Sequence, residues 1–157
     1  MKIKLLTIGK TDSRPLQQLI DEYCKRLGFY IPFSMDIIPD IKNTKNLTTK
    51  QQKIAEGKEL LKKIEKSDAV ILLDENGKLY NSIQFSAFLQ KKMNSGLKKI
   101  VFVIGGPYGF SEDVYNRSNE KISLSPMTFS HQMVRLFFTE QLYRSFTILK
   151  NEPYHHH

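Results

Sequence analysis

The chain is poor in cysteine and in long apolar runs, and each shortage excludes something. Cys24 is its one cysteine, so an intrachain disulfide and a cysteine-cluster metal site are ruled out, in keeping with a reducing compartment such as the cytoplasm. The longest uninterrupted apolar runs, residues 69–73 and 100–104, are five residues each. A membrane-spanning helix needs ~20. The opening Met1-Lys2-Ile3-Lys4-Leu5-Leu6-Thr7-Ile8-Gly9 is too interrupted for a signal sequence and lacks a small-residue cleavage site, so it is expected to be a first strand. Neither G-x-G-x-x-G nor a Walker A loop is present, which takes the main support from dinucleotide and P-loop readings. No aromatic residue lies between Pro39 and Leu79; that segment lacks the stacking platforms of a single-strand nucleic-acid binder.

What is present suits one domain. A chain of 157 residues, 40% of them apolar, can bury roughly 70% of its unfolded surface and is not expected to be disordered. Its net charge is +8 with the histidines neutral, and the excess is local. Residues 1–41 hold six basic and five acidic groups, whereas residues 42–66 hold eight lysines against Glu56, Glu59 and Glu65. Such a face attracts a polyanion and makes binding salt-dependent. The plainer alternative is a solvated helix with pairs such as Glu59 and Lys63. If the segment touches nucleic acid, it touches phosphate.

Five strands are expected, at Lys2–Ile8, Phe33–Ile38, 69–73, 100–104 and 121–124, each followed by helical periodicity or a turn. Leu16, Leu19, Ile20, Tyr23 and Leu27 recur at helical spacing, with Pro15 in the first turn and Gly28 past the end. Ile54, Leu60, Leu61 and Ile64 mark a second helix, and Phe85, Phe88, Leu89 and Met93 a third, closed by Gly96. A short helix follows Ser111, and the last, starting near Thr128 or Ser130, carries Val134, Phe137, Phe138, Leu142 and Phe146. Residues 40–50 are the one expected flexible loop. Strands alternating with helices, and strands apolar on both faces, mean a mostly parallel α/β sheet with helices on both faces.

In such sheets ligands bind beyond the carboxyl ends of the strands, and three ends are unusual. Residues 100–104 run into Gly105-Gly106-Pro107-Tyr108-Gly109-Phe110, where glycine lets backbone approach a ligand; a tight turn capped by Ser111 is the plainer alternative. Residues 69–73 run into Asp74-Glu75-Asn76-Gly77-Lys78, which reads first as a turn because Asn-Gly is a strong turn dipeptide. The third end is Leu124-Ser125-Pro126-Met127-Thr128-Phe129-Ser130-His131. Its backbone, made irregular by Pro126, suits hydrogen bonds to an adenine edge, with Leu124, Met127 and Phe129 against the ring faces. An N-cap with a hydrophobic staple is the alternative there. His131 and Arg135 are four apart and share a face of the last helix, where a lone histidine is more often a structural hydrogen bonder than a catalyst. The terminal His155, His156 and His157 suit metal binding or a tag remnant equally.

Taken together, these residues resemble the RlmH family of SPOUT-class methyltransferases. The resemblance runs end to end, through Lys-Ile-Lys-Leu-Leu-Thr-Ile-Gly-Lys at 2–10, Leu-Asp-Glu-Asn-Gly-Lys at 73–78, Val-Ile-Gly-Gly-Pro-Tyr-Gly at 103–109, Leu-Ser-Pro-Met-Thr-Phe-Ser-His-Gln-Met-Val-Arg at 124–135, Glu-Gln-Leu-Tyr-Arg at 140–144 and Pro-Tyr-His-His at 153–156. It implies a SPOUT-type α/β fold with a C-terminal trefoil knot over the single domain 1–157, and a homodimer. It further implies S-adenosylmethionine as methyl donor, no metal, and N3 of a pseudouridine in 23S ribosomal RNA as acceptor, on the ribosome. The cofactor contacts it implies are Leu73, Gly105, Leu124, Ser125, Pro126, Met127, Thr128 and Phe129. Two residues depart from the family pattern: Ser130 stands where proline is frequent, and Tyr108 where smaller or more polar residues are common.

Methyl transfer from a sulfonium is an in-line displacement, so acceleration should come mainly from alignment. Loss of the N3 proton calls for a base or for a cation beside the resulting anion. His131, Arg135, Arg144, Tyr154 and His155 are the candidates. Arg135 and the Tyr154-His155 pair are expected at the RNA site, the pair on a tail reaching a neighbouring subunit. The rival readings are a non-enzymatic ribosome-binding factor and a nucleotide-binding α/β enzyme.

Overall fold

Residues 1–156 are described by a computed structural model, in which side-chain alternation along each strand divides the core in two. The strands are β1 (Lys2–Ile8), β2 (Phe33–Ile38), β3 (Ala69–Leu79), β4 (Lys99–Ile104) and β5 (Glu120–Ser123). They form one sheet in the order β2-β1-β4-β3-β5, every pairing parallel. The helices are α1 (Arg14–Leu27), α2 (Thr49–Lys62), α3 (Ser82–Asn94), α4 (Glu112–Arg117) and α5 (His131–Leu149). Successive strand residues point to opposite faces. Ile3, Leu5, Ile71 and Phe102 therefore pack with Leu27 of α1, Phe85 of α3 and Phe138 and Leu142 of α5. Leu6, Ile8, Val70, Leu72, Val101 and Val103 pack with Leu60 of α2 and with Phe110 and Val114. Helices thus cover both faces, as the apolar strands required.

Caps fix the helix starts that matter for the site. Ser13, Ser111 and Ser130 each accept a backbone N–H in the first turn of α1, α4 and α5, and Thr48 and Asn81 form capping boxes with Gln51 and Gln84. The connection 40–50 contains one 3₁₀ turn, Thr44–Asn46, entered through Asn43 at φ 60°. No described helix is long and apolar enough to cross a membrane.

The Asn76-Gly77 turn expected after residue 73 is instead an irregular stretch inside β3. Leu73 and Lys78 both pair with Ile122, so the residues between them bulge out of the ladder. Asp74 Oδ1 accepts the Asn76 N–H at 2.8 Å within it. Glycine is required at 77 for contact: a Cβ there would fall 2.5 Å from the carbonyl carbon of Ile122.

Candidate active site

The bulge of β3 and the carboxyl ends of β4 and β5 enclose a cavity of about 480 Å³, within the range of small-molecule sites. Its walls come from the three unusual strand ends together. Leu73 and Asp74 stand on one side, the loop 104–110 on another, and Leu124, Ser125, Met127, Thr128, Phe129 and His131 on the third. Seven of the eight cofactor-contact residues expected from the resemblance line it; Pro126 belongs to the same segment but is not among the lining residues.

Local bonding shapes each wall. Ser125 Oγ accepts the Met127 N–H at 2.9 Å and the Ser125 carbonyl accepts the Ser123 hydroxyl at 3.0 Å, folding 123–127 into a tight crook that leaves Met127 largely exposed. The Phe129 ring packs at a tilt on that of Phe137 of α5, their centres 4.9 Å apart. In the glycine loop, Gly109 at φ 85° donates its N–H to the Gly106 carbonyl at 3.2 Å. At Gly105 a Cβ would meet Phe110 at 3.1 Å and the Gly109 carbonyl at 3.2 Å, so a branched side chain does not fit. Tyr108 stands half-exposed in this loop. Tyr115 donates its hydroxyl to Asp74, and burial together with that carboxylate pushes its pKa well above the usual tyrosine range.

The five candidates for chemistry on RNA are not gathered in one place. His131, the first residue of α5, lines the cavity. Arg135, one turn further on, is fully enclosed. Its guanidinium donates to the carbonyls of Ile8 at 2.7 Å and Gly9 at 2.8 Å and to Thr11 Oγ1 at 3.1 Å. Burial pulls its pKa down, opposed by the carboxylates of Asp12 and Asp40. Gln132 joins the same clamp, donating to the Lys10 carbonyl and accepting the Asp12 N–H, both at 3.1 Å. The start of α5, and with it His131, is thus fastened to the end of β1.

Tyr154 and His155 lie elsewhere, against α5 and α1. Tyr154 donates to Glu140 Oε1 at 3.0 Å and sits 3.2 Å from the Tyr23 hydroxyl; burial, Tyr23 and Glu140 all push its pKa up. Arg144 bonds Glu140 at 2.6 Å, lies over the Tyr154 ring at 4.6 Å and reaches His155 Nδ1 at 3.4 Å. Within one chain this group does not line the cavity. Among the described residues no three His, Cys, Asp or Glu gather into a metal-binding group. The metal reading of the three terminal histidines involves His157, which lies outside the described residues.

Of the eight lysines of residues 42–66, four of them on α2, seven are exposed, Lys53 being half-buried. Glu59 pairs at 2.6 Å with Lys62 rather than with Lys63. Glu56, counted among the solvated acids, is in fact buried: it stands four residues before Leu60 and so shares that residue's inward face. The spacing was there to be read.

With the cavity in place, relatives sharpen the picture. The family described as "Predicted SPOUT methyltransferase" matches residues 1–155. The chain belongs to the SPOUT methyltransferase family. As a SPOUT methyltransferase it is an enzyme, and within the family it falls with the RlmH group its motifs resemble. It is 69% identical to ribosomal RNA large subunit methyltransferase H of Flavobacterium psychrophilum. It is 67% identical to the protein of the same name from Flavobacterium johnsoniae and 60% identical to that of Parabacteroides distasonis. Each alignment spans 156 residues, 99% of both chains. For a SPOUT methyltransferase the implied methyl donor is S-adenosylmethionine, and the cavity suits it: apolar side chains from 124–129, a backbone edge at Gly105, and carboxylates at Asp74 and Glu75 on the rim.

Proposed function

We propose that the protein binds S-adenosylmethionine in the strand-end cavity, without a metal, and methylates N3 of a pseudouridine in 23S ribosomal RNA presented by the assembled ribosome. The observation that carries this reading is the convergence of three sequence-distant segments, 73–76, 104–110 and 123–131, on one cavity. The trefoil knot belongs to the same proposal, since the 104–110 and 123–131 segments must pass close to each other there.

The donor, when bound, supplies an electrophilic methyl group. Leu124, Met127 and Phe129 give the adenine apolar faces, and the backbone of 124–128 gives it hydrogen-bonding edges. Gly105 admits the close approach of the chain. His131, at the cavity wall, is placed to hold or accept the N3 proton. Arg135 acts through it as a positioning residue, because its clamp on Ile8 and Gly9 sets the first turn of α5. The lysines of residues 42–66 meet rRNA phosphates, positioning without reading sequence; selectivity then comes from the shape of the folded particle, in the cytoplasm where ribosomes are.

A homodimer is part of the proposal. Beside the buried Phe138, Leu142 and Phe146, α5 exposes Met133 and Phe137, and Met127 and Phe129 stand exposed before it. This apolar stripe is continuous with the cavity and is suited to a second copy, whose Tyr154 and His155 would then reach the first copy's cavity. Calorimetry tests the reading: micromolar binding of S-adenosylmethionine in the presence of a chelator is expected, and no heat of binding would contradict it. Sedimentation should show a species twice the 18.3 kDa chain mass; a monomer alone at micromolar concentration would remove the composite site.

A further inference from the structure

Behind the glycine loop lies a charge that the fold leaves unanswered. Glu56 of α2 is 3% exposed. Its Oε1 accepts from Gln52 at 3.1 Å, while Oε2 is buried with no hydrogen-bond partner. Among the described residues no lysine, arginine or histidine pairs with it. A buried carboxylate without a counter-charge and with one oxygen unsatisfied is costly and is seldom kept without a use.

Its position suggests the use. The carboxylate fills the place a side chain would take on Gly106: a Cβ there would fall 2.5 Å from Oε2 and 2.7 Å from Oε1. Gly106 itself lines the cavity, so only the thickness of a glycine backbone separates Glu56 from a bound ligand. The next residue, Gly57, packs so closely on Ser111 that a Cβ would meet its hydroxyl at 2.3 Å. Helix α2 is thereby pressed on both ends of the loop. Burial pushes the Glu56 pKa up, with Asp40 adding to the rise and the Gln52 bond opposing it; a cation across Gly106 would relieve both. Through a low-dielectric wall, charges at this separation interact strongly.

We propose that Glu56 gives the cavity its preference for a cationic ligand, favouring the sulfonium methyl donor over the neutral thioether left after transfer. The inference rests on the cofactor reading above. It makes product release electrostatic: the methyl leaves with the positive charge, and the attraction to Glu56 goes with it.

The test is calorimetry on the full chain with S-adenosylmethionine, S-adenosylhomocysteine and sinefungin. The first and third are cationic where the second is neutral, and all three share the adenosine and amino-acid ends. In Glu56→Gln the donor-to-product affinity ratio should fall roughly fivefold to tenfold, with product affinity little changed. Equal losses for donor and product, or an unchanged ratio, would overturn the inference. Wild-type protein gives an independent check that needs no variant to fold. There both cationic ligands should outbind the neutral one, and a neutral ligand binding as tightly as both would overturn it. Failure of all three to bind wild type would remove the cofactor reading itself, and the inference with it.

Discussion

The strand-end cavity and the C-terminal tail are held in different ways. The cavity is fixed from behind by the buried Arg135 on the end of β1 and the buried Glu56 under Gly106, and by Gly77 pressed against Ile122, each with almost no free space. The tail rests on partly exposed rings and ion pairs: Tyr154 on Glu140 and Arg144, and Tyr30 on Glu152. A wall of the first kind comes with the fold. A contact of the second kind can be broken and remade without unfolding, as the proposed reach to a neighbouring subunit requires.

That contrast can be broken at either end, and the largest effect is expected at Arg135. Arg135→Ala strips the Ile8 and Gly9 carbonyls of their donor and opens a cavity in the core, and should cost about 3–5 kcal/mol. The shift of the urea midpoint measures it. Next is Gly105→Val, which crowds Phe110 and the Gly109 carbonyl. It should cost about 1–3 kcal/mol and weaken S-adenosylmethionine binding by more than about tenfold; undiminished affinity would mean the cofactor lies elsewhere. Deleting residues from Tyr154 onward should do the opposite. Turnover on saturating ribosomes should fall severalfold while donor affinity holds and stability changes by no more than about 1 kcal/mol, and normal turnover would make Tyr154 and His155 bystanders.

Smaller effects sharpen the same comparison. Neutralising Lys58, Lys62 and Lys63 should raise the apparent KM for ribosomes and flatten its salt dependence, with kcat and donor affinity unchanged. Glu56→Gln should show the direction of a pKa raised by burial. A carboxyl whose pKa is higher folded than unfolded stabilises the fold when protonated, and that contribution is lost as pH rises through the folded value. The variant should therefore match wild type in acid and be the more stable by about 1 kcal/mol near neutrality, which melting curves across that range would show.

Most of the fold could be read from sequence because the strands are short, apolar and punctuated. Lys2–Ile8 and Phe33–Ile38 fall where expected, β4 begins one residue early and β5 is shifted by one residue at both ends. The extension of β3 past Gly77 could not be read, since what overrides the turn dipeptide is the approach of Ile122, far away in sequence. The cavity was legible for a related reason: its walls are local segments at strand ends, each carrying its own signal in glycine, proline or hydroxyls. Arg135 was not. Its spacing from His131 placed both on one helix face, but the carbonyls that capture its guanidinium belong to β1, more than a hundred residues earlier. Long side chains take their role from what the fold brings to them.

The proposed activity is met most directly by mass spectrometry of 23S ribosomal RNA from cells lacking the gene, before and after their ribosomes are incubated with the purified protein and S-adenosylmethionine. One pseudouridine should lack its N3 methyl group and regain it on incubation; fully methylated RNA without the gene, or no methyl gained on incubation, would contradict it.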